Sequence, residues 1–274
     1  FNKIKFIPSI EVALHRGLWS FIFLLFFIIL FGKIKEFFLI FTYYKRILIL
    51  STTAILITIN WTGFIYAISI NRLQDASMGY FMTPMISIIL GYFFLKENIS
   101  LNKLISVLMM LSATIFLTIS LKIFPFLAIL IGTSWGIYGL LRKQINVSSE
   151  IGLLYESGFI SLLSLPFIIY LYLRGHGFFL NYSNEIDFYL IFTGLITIFP
   201  LFFFNLGVKK IPLGFAGVIF YLAPSFHFFT SIFILNEQIK IEKMISFVII
   251  WIAVFIFVFD IFKDQKKINE NNIQ

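Results

Sequence analysis

Residues 76–103 read ASMGYFMTPMISIILGYFFLKENISLNK, and residues 216–243 read AGVIFYLAPSFHFFTSIFILNEQIKIEK. The two stretches share few letters, but the shared ones keep a single register. Pro84 is followed by Glu97 and Lys103, and Pro224 by Glu237 and Lys243, thirteen residues and then six in each case. At the same offset of 140 residues Ala76 meets Ala216, Tyr80 meets Phe220, Phe81 meets Tyr221 and Ser106 meets Ser246. A register kept through two hydrophobic segments and the loop joining them marks an internal repeat.

Outside these stretches the chain is just as apolar. Of its 274 residues 60% are hydrophobic and 12% charged, with a mean hydropathy of +0.98. A soluble domain carries about 25% charged residues, so this composition excludes a water-soluble fold and a separate soluble domain. Nine runs reach the roughly 20 apolar residues that cross a hydrocarbon core: 9–31, 46–70, 75–95, 102–121, 125–143, 151–174, 188–207, 213–235 and 242–262. They lack the alternation of barrel strands, and lipid admits only helices or closed barrels. The 38 Phe residues follow from a codon bias towards A and T more simply than from an aromatic binding surface. The absence of cysteine excludes disulfides, thiolate metal sites and cysteine nucleophiles. A formal charge of +8 is scattered over loop ends, which speaks for membrane topology and against a nucleic-acid partner.

Carried backwards, the offset pairs 9–31 with 151–174 and 46–70 with 188–207, leaving 125–143 without a mate. That mate would end at Lys3, the position equivalent to Lys143, in a chain beginning with Phe1. The expectation is therefore a first helix missing at the N-terminus and an intact protein of two five-helix repeats. Residues 1–121 form the first repeat, 122–262 the second and 263–274 a polar cytoplasmic tail. An odd number of helices per repeat makes the pair inverted, an architecture of transporters working by alternating access. With the C-terminus inside, thirteen Lys and Arg fall in cytoplasmic stretches and seven opposite, Arg16 lying within a helix, as the positive-inside rule requires.

The segments Glu11-Val-Ala-Leu-His15-Arg16-Gly-Leu-Trp19-Ser20, Asn60-Trp61 to Ile65-Tyr66-Ala67, and Ala76 to Pro84 closely resemble the RarD family. Further matches are Leu95-Lys96-Glu97, Tyr138-Gly139-Leu140-Leu141-Arg142-Lys143, Thr197 to Leu201, and Tyr221-Leu222-Ala223-Pro224 followed by Glu237. This family is the chloramphenicol-sensitivity branch of the drug/metabolite transporter superfamily. The resemblance covers nearly the whole chain and implies an all-α integral membrane protein, the ten-helix drug/metabolite transporter fold of two inverted EamA-type repeats. It implies a multi-pass permease of the bacterial inner membrane, an exporter or exchanger, and supplies no substrate ligands.

Charged side chains in membrane helices are costly, which makes Glu11, His15, Arg16 and Glu156 candidates for coupling or for a buried charge pair. Glu11 and His15 are four apart and can pair on one helix face. Arg16 is repeat-equivalent to Glu156, so a salt bridge between them, substrate or proton coupling, and separate water-facing roles all stay open. Pro84 and Pro224 occupy matching points in helices, as hinges or static bends. Glu97 and Glu237 end equivalent helices, where capping, anchoring and gating are all compatible with the residue type. Asn60, Trp61, Tyr80, Trp135, Tyr138 and Tyr221 are candidates to line a cavity, with helix packing as the alternative for each. His227, alone among phenylalanines, reads as a packing residue. No cofactor is expected. The expected partners are a small-molecule substrate, the lipid bilayer and a proton or other ion gradient, with the chain a monomer or homodimer. A lipid or lipid-intermediate flippase is the competing transport reading, and a membrane enzyme on a lipid carrier the competing class.

Overall fold

Two helix starts repeat at the offset read from the sequence. Ser9 and Ser149, and Tyr44 and Asn184, begin helices, each pair standing 140 residues apart. The computed structural model describes residues 4, 6–70, 73–121, 126–233 and 241–271. Its helices are α1 (Ser9–Leu30), α2 (Ile34–Phe38), α3 (Tyr44–Ser69), α4 (Leu73–Leu95), α5 (Leu101–Leu121), α6 (Phe126–Gln144), α7 (Ser149–Leu173), α8 (Asn184–Lys210), α9 (Leu213–Ile219), α10 (Leu222–Phe233) and α11 (Ile241–Asn271).

Six are long and apolar enough to cross a membrane: α1, α3, α5, α7, α8 and the Met244–Lys263 part of α11. Gly79–Leu95 and Leu213–Phe226 are shorter apolar stretches. Helix α6 is less apolar than these because Arg142 and Lys143 fall in its last turn. Their outward faces carry large apolar side chains, such as Phe26, Leu162, Leu163, Phe203 and Phe255, as lipid-facing helices must.

The structure corrects two helix expectations. The segment expected as one helix over 213–235 is broken at Phe220 and Tyr221. Proline at 224 has no N–H for the carbonyl of residue 220 and crowds it, and that carbonyl accepts instead from Ala223 N at 3.2 Å. The tail expected from residue 263 as a separate polar segment continues α11 as far as Asn271. Bilayer thickness limits the apolar run, not the helix, and Lys, Asp and Gln allow it to go on. Between α1 and α3 the chain also forms the one-turn helix α2.

The helices sort into two compact units by contact. Unit 1 comprises Phe1–Leu73 and Ile137–Lys210, and unit 2 comprises Gln74–Gly136 and Ile211–Gln274. Each unit therefore draws helices from both halves of the chain. In unit 1, α1 packs against α7 and α8, and α3 against α7 and α1. Small residues allow close approach, for a Cβ at Gly194 of α8 would press on the backbone of Trp19 and Ser20, and one at Gly17 on Ile160. Without water to drive apolar surfaces together, such close packing is what holds membrane helices to each other. In unit 2, α5 lies along α11 over a core that includes Phe81, Met85, Met110, Tyr221, Ile250 and Phe257.

Candidate functional site

Helix α7 carries Gly152 and Glu156 one turn apart, on a single face. Glu156 is buried. Its Oε1 lies 2.6 Å from the Thr53 hydroxyl oxygen of α3, and its Oε2 accepts from the Tyr138 hydroxyl of α6 at 3.2 Å. Arg142 follows Tyr138 by one helical turn and so shares its face, bringing Nε to 3.6 Å from Glu156 Oε1. Asn205 of α8 completes the cluster, its Nδ2 donating to the Tyr138 hydroxyl at 2.8 Å. Four helices thus converge on one carboxyl group.

Arg142 is wholly buried. Its Nη2 donates to the Ser149 carbonyl at 3.1 Å, whereas Nε and Nη1 make no hydrogen bond. The guanidinium fits because residue 152 is glycine, and a Cβ there would collide with it. At the same end of the helices, Lys33 Nζ donates to Glu150 Oε1 at 2.6 Å. Lys33 lies outside the spans, and that hydrogen bond to a carboxylate holds its ammonium above the usual lysine range.

Next to Glu156 is a small cavity of about 10 Å³, lined among others by Ser20, Leu24, Trp61, Glu156, Ser157 and Thr197. The Ser20, Ser157 and Thr197 hydroxyls donate to the carbonyls of Gly194, Leu153 and Thr193. With their protons so directed, these oxygens present lone pairs to the cavity. Arg16 Nε donates to Thr197 Oγ1 at 3.0 Å, and the Arg16 guanidinium sits 4.6 Å from the Trp61 ring centre, a cation–π contact. Thr53 and Trp61 are eight residues apart on α3, roughly 12 Å of helix rise. The glutamate lines the cavity, and the arginine stands behind its Trp61 and Thr197 wall.

The structure does not bring either candidate pair together. Glu156 is joined to Arg142, while Arg16 is turned to Thr197 and Trp61. Glu11 and His15 share a face, but the Glu11 carboxylate accepts from Phe178 N at 2.8 Å. His15 Nδ1 accepts from Trp19 Nε1 at 3.3 Å. In the first turn of α1 the carboxylate finds its backbone donor in the loop after α7, which holds it away from the histidine.

The cavity candidates divide. Trp61 lines the cavity and Tyr138 supports Glu156. Asn60 is buried beside Trp61 on α3. Tyr80, Trp135 and Tyr221 belong to unit 2, where Trp135 packs edge-on against Phe220. Tyr221 donates its hydroxyl proton to the Phe81 carbonyl at 2.9 Å inside the apolar core.

The hinge and gate candidates divide as well. Pro84 lies within the continuous helix α4, whereas Pro224 stands in the first turn of α10, after the break. Glu97 is a cap. Its Oε1 accepts from Leu213 N at 2.6 Å and its Oε2 from Gly214 N at 3.2 Å, capping the buried start of α9. Glu237 and the His227 side chain lie outside the described residues.

Sequence reasoning passed over Arg142, Thr53 and Asn205. Arg142, at the edge of an apolar run, reads as a cytoplasmic loop charge, yet among the described residues it is the most deeply buried charge of unit 1. Its four-residue spacing from Tyr138 was the available signal. Asp260 of α11 was also missed. It accepts from Ser100 at 2.6 Å and Asn102 at 3.0 Å, with Lys103 Nζ at 3.6 Å, tying α11 to the start of α5.

Two segments of the chain, residues 2–119 and 123–259, match the EamA-like transporter family. An uncharacterized transporter of Bacillus subtilis (strain 168), YojE, is 30% identical over 257 residues, which cover 92% of this chain and 85% of that protein. Protein RarD of Escherichia coli (strain K12) is 27% identical over 270 residues, covering 97% and 90%. An uncharacterized transporter of Vibrio cholerae serotype O1 is 30% identical over 263 residues, covering 95% and 86%.

Proposed function

We propose that this chain, which belongs to the EamA-like transporter family, is a permease that carries a small metabolite or drug-like compound through the unit 1 cavity by alternating access. Its similarity to RarD proteins and to named transporters and its membrane-spanning helices support a multi-pass membrane transporter. The single observation carrying the site assignment is the cavity itself, where the Trp61 face and three hydroxyl oxygens line a space beside Glu156, with Arg16 behind them. An apolar pocket with a few converging polar groups is the usual form of a small-molecule site.

In this reading the two repeats are inverted, their boundary falls near residue 122, and the C-terminus is cytoplasmic. Export or exchange is the direction, and an ion gradient the energy source. The break at Phe220–Tyr221 before Pro224 is a hinge, and Pro84 a static bend within α4. Glu11 and His15 anchor the far end of α1 without touching the substrate.

The test begins with metabolite pools inside and outside cells with and without the full-length protein, followed by counterflow of the best responders in proteoliposomes. Trp61→Ala should remove most of the flux while the protein still inserts. A solute screen without any response under any ion gradient would remove the permease reading. Lipid translocation in place of solute flux would transfer the site to a flippase.

A further inference from the structure

The Thr53 hydroxyl has one proton and two acceptors. Its oxygen lies 2.9 Å from the Leu50 carbonyl and 2.6 Å from Glu156 Oε1. A hydroxyl donates one hydrogen bond and accepts others, so both short contacts are satisfied together only when Glu156 itself carries a proton. In that state Glu156 Oε1–H donates to Thr53, and Thr53 donates to Leu50. With Glu156 ionised, Thr53 turns its proton to the carboxylate, and the Leu50 carbonyl keeps whatever bond its helix supplies.

Arg142 fits the same alternation. A buried ion pair stabilises a protein only when the charges are closely hydrogen-bonded, because both lose their hydration. Here the Arg142 Nε stands 3.6 Å from Oε1 and makes no hydrogen bond. The guanidinium is near enough to favour a carboxylate and too far to lock one in place. Glu156 also lines the cavity, so a proton arriving there has direct access to it.

We propose, on the permease reading above, that Glu156 binds and releases a proton during the transport cycle, with the Thr53 hydroxyl as the rotor that accommodates both states. The proton is delivered as hydronium through water entering the cavity and adds to Oε1 as an O–H bond, leaving neutral water, while the Thr53 O–H swings to Leu50. Release reverses both movements. The groups facing Glu156 are Thr53 from α3, Tyr138 and Arg142 from α6, and Asn205 from α8 through the tyrosine hydroxyl. Lys209 of α8 stands behind Arg142 on the Val147 carbonyl. Helix α1 offers Ser20 and Leu24 across the cavity, with Arg16 on Thr197 behind its wall. On α7 itself Glu150 is engaged by Lys33.

The test is infrared difference titration of the full-length protein in lipid nanodiscs, from about pH 5 to about pH 9. The expected result is a protonated-carboxyl C=O band that vanishes as pH rises and is lost in Glu156→Gln. Thr53→Val should move that band to higher frequency, because the acid proton loses its acceptor, and Thr53→Ser should restore its position. A titrating band that survives Glu156→Gln, or no titrating band at all, overturns the proposal. If Glu156→Gln does not fold, the Thr53→Val shift and its rescue by Thr53→Ser decide alone, and an unmoved band overturns it. The measurement needs no solute, so a failed proton site and a failed permease reading give different results: the first leaves counterflow intact, the second leaves the band intact.

Discussion

Unit 1 and unit 2 are assembled from the same repeat, yet they bury different sets of polar side chains. Unit 1 encloses Glu11, His15, Thr53, Arg142, Glu156 and Asn205. Unit 2 encloses an apolar core of Phe81, Met85, Met110, Val218, Phe247 and Phe257, with hydroxyls such as Thr83, Ser106 and Thr114 bonded to carbonyls of their own helices and the acid Asp260 held by Ser100 and Asn102. The division follows position within the repeat. Helices α1 and α3, with their mates α7 and α8 and with Tyr138 and Arg142 of α6, supply the chemistry, while α4 and α5, with their mates α9 to α11, supply packing and caps. Apolar side chains in lipid gain little from being buried against each other, so unit 2 is held by shape, whereas unit 1 also depends on satisfying each buried polar group.

The sharpest way to break that comparison is to place a side chain where unit 1 needs space for its charge. Gly152→Leu drives a side chain into the Arg142 guanidinium and separates it from Glu156, which should destabilise the protein by about 3 kcal/mol or more. Gly207→Ala on α8 meets nothing within 4 Å and should instead stabilise by roughly 0.5–1 kcal/mol through helix propensity. Reversible unfolding in mixed detergent measures both. If the two substitutions behave alike, Arg142 is not constrained in the way its burial implies.

Much of this division could be read from the sequence, because it depends on spacing. The offset of 140 residues placed two pairs of helix starts, Ser9 with Ser149 and Tyr44 with Asn184, and Glu156 announced itself as an acid in an apolar run. What spacing left open was the partner. Arg16 and Glu156 are equivalent by the repeat, but the repeat relates positions and says nothing of contact. Arg142 sat at the edge of an apolar run, where a basic residue ordinarily faces the cytoplasm, and only the packing of α6 against α7 puts it inside. Thr53 and Asn205 carry no charge and were indistinguishable from the hydroxyls and amides along every other helix. Tyr221 misled in the opposite direction, since an aromatic ring with a polar tip suits a core as well as a cavity.

Unit 2 should respond most at its cap. Glu97→Ala leaves the amides of Leu213 and Gly214 without their acceptor and should cost about 1–2 kcal/mol. Glu97→Gln should recover part of that, because the amide oxygen still accepts. Lys96 just before it holds a left-handed backbone, φ 55°, and Lys96→Gly should gain about 1 kcal/mol by relieving it. Thermal unfolding of the three variants orders them. A neutral Glu97→Ala would mean that water caps α9 equally well.

The smallest effect tests the comparison most directly, because it sets one tyrosine hydroxyl against another. Tyr221 and Tyr138 are both buried. Tyr221 donates to the Phe81 carbonyl, a group within helix α4, so Tyr221→Phe leaves no charge behind and should cost about 0.6 kcal/mol with flux unaltered. Tyr138 stands between Asn205 and Glu156. Tyr138→Phe removes a donor from a carboxylate and an acceptor from a buried amide, so its stability cost should be larger, about 1–2 kcal/mol, and flux should fall with it. The ratio of the two flux losses is the informative quantity, since an unfolded fraction lowers the amount of transporter equally in both after normalisation to folded protein. Equal losses would place transport chemistry in unit 2 as well, and the separation of packing from chemistry along the repeat would not hold.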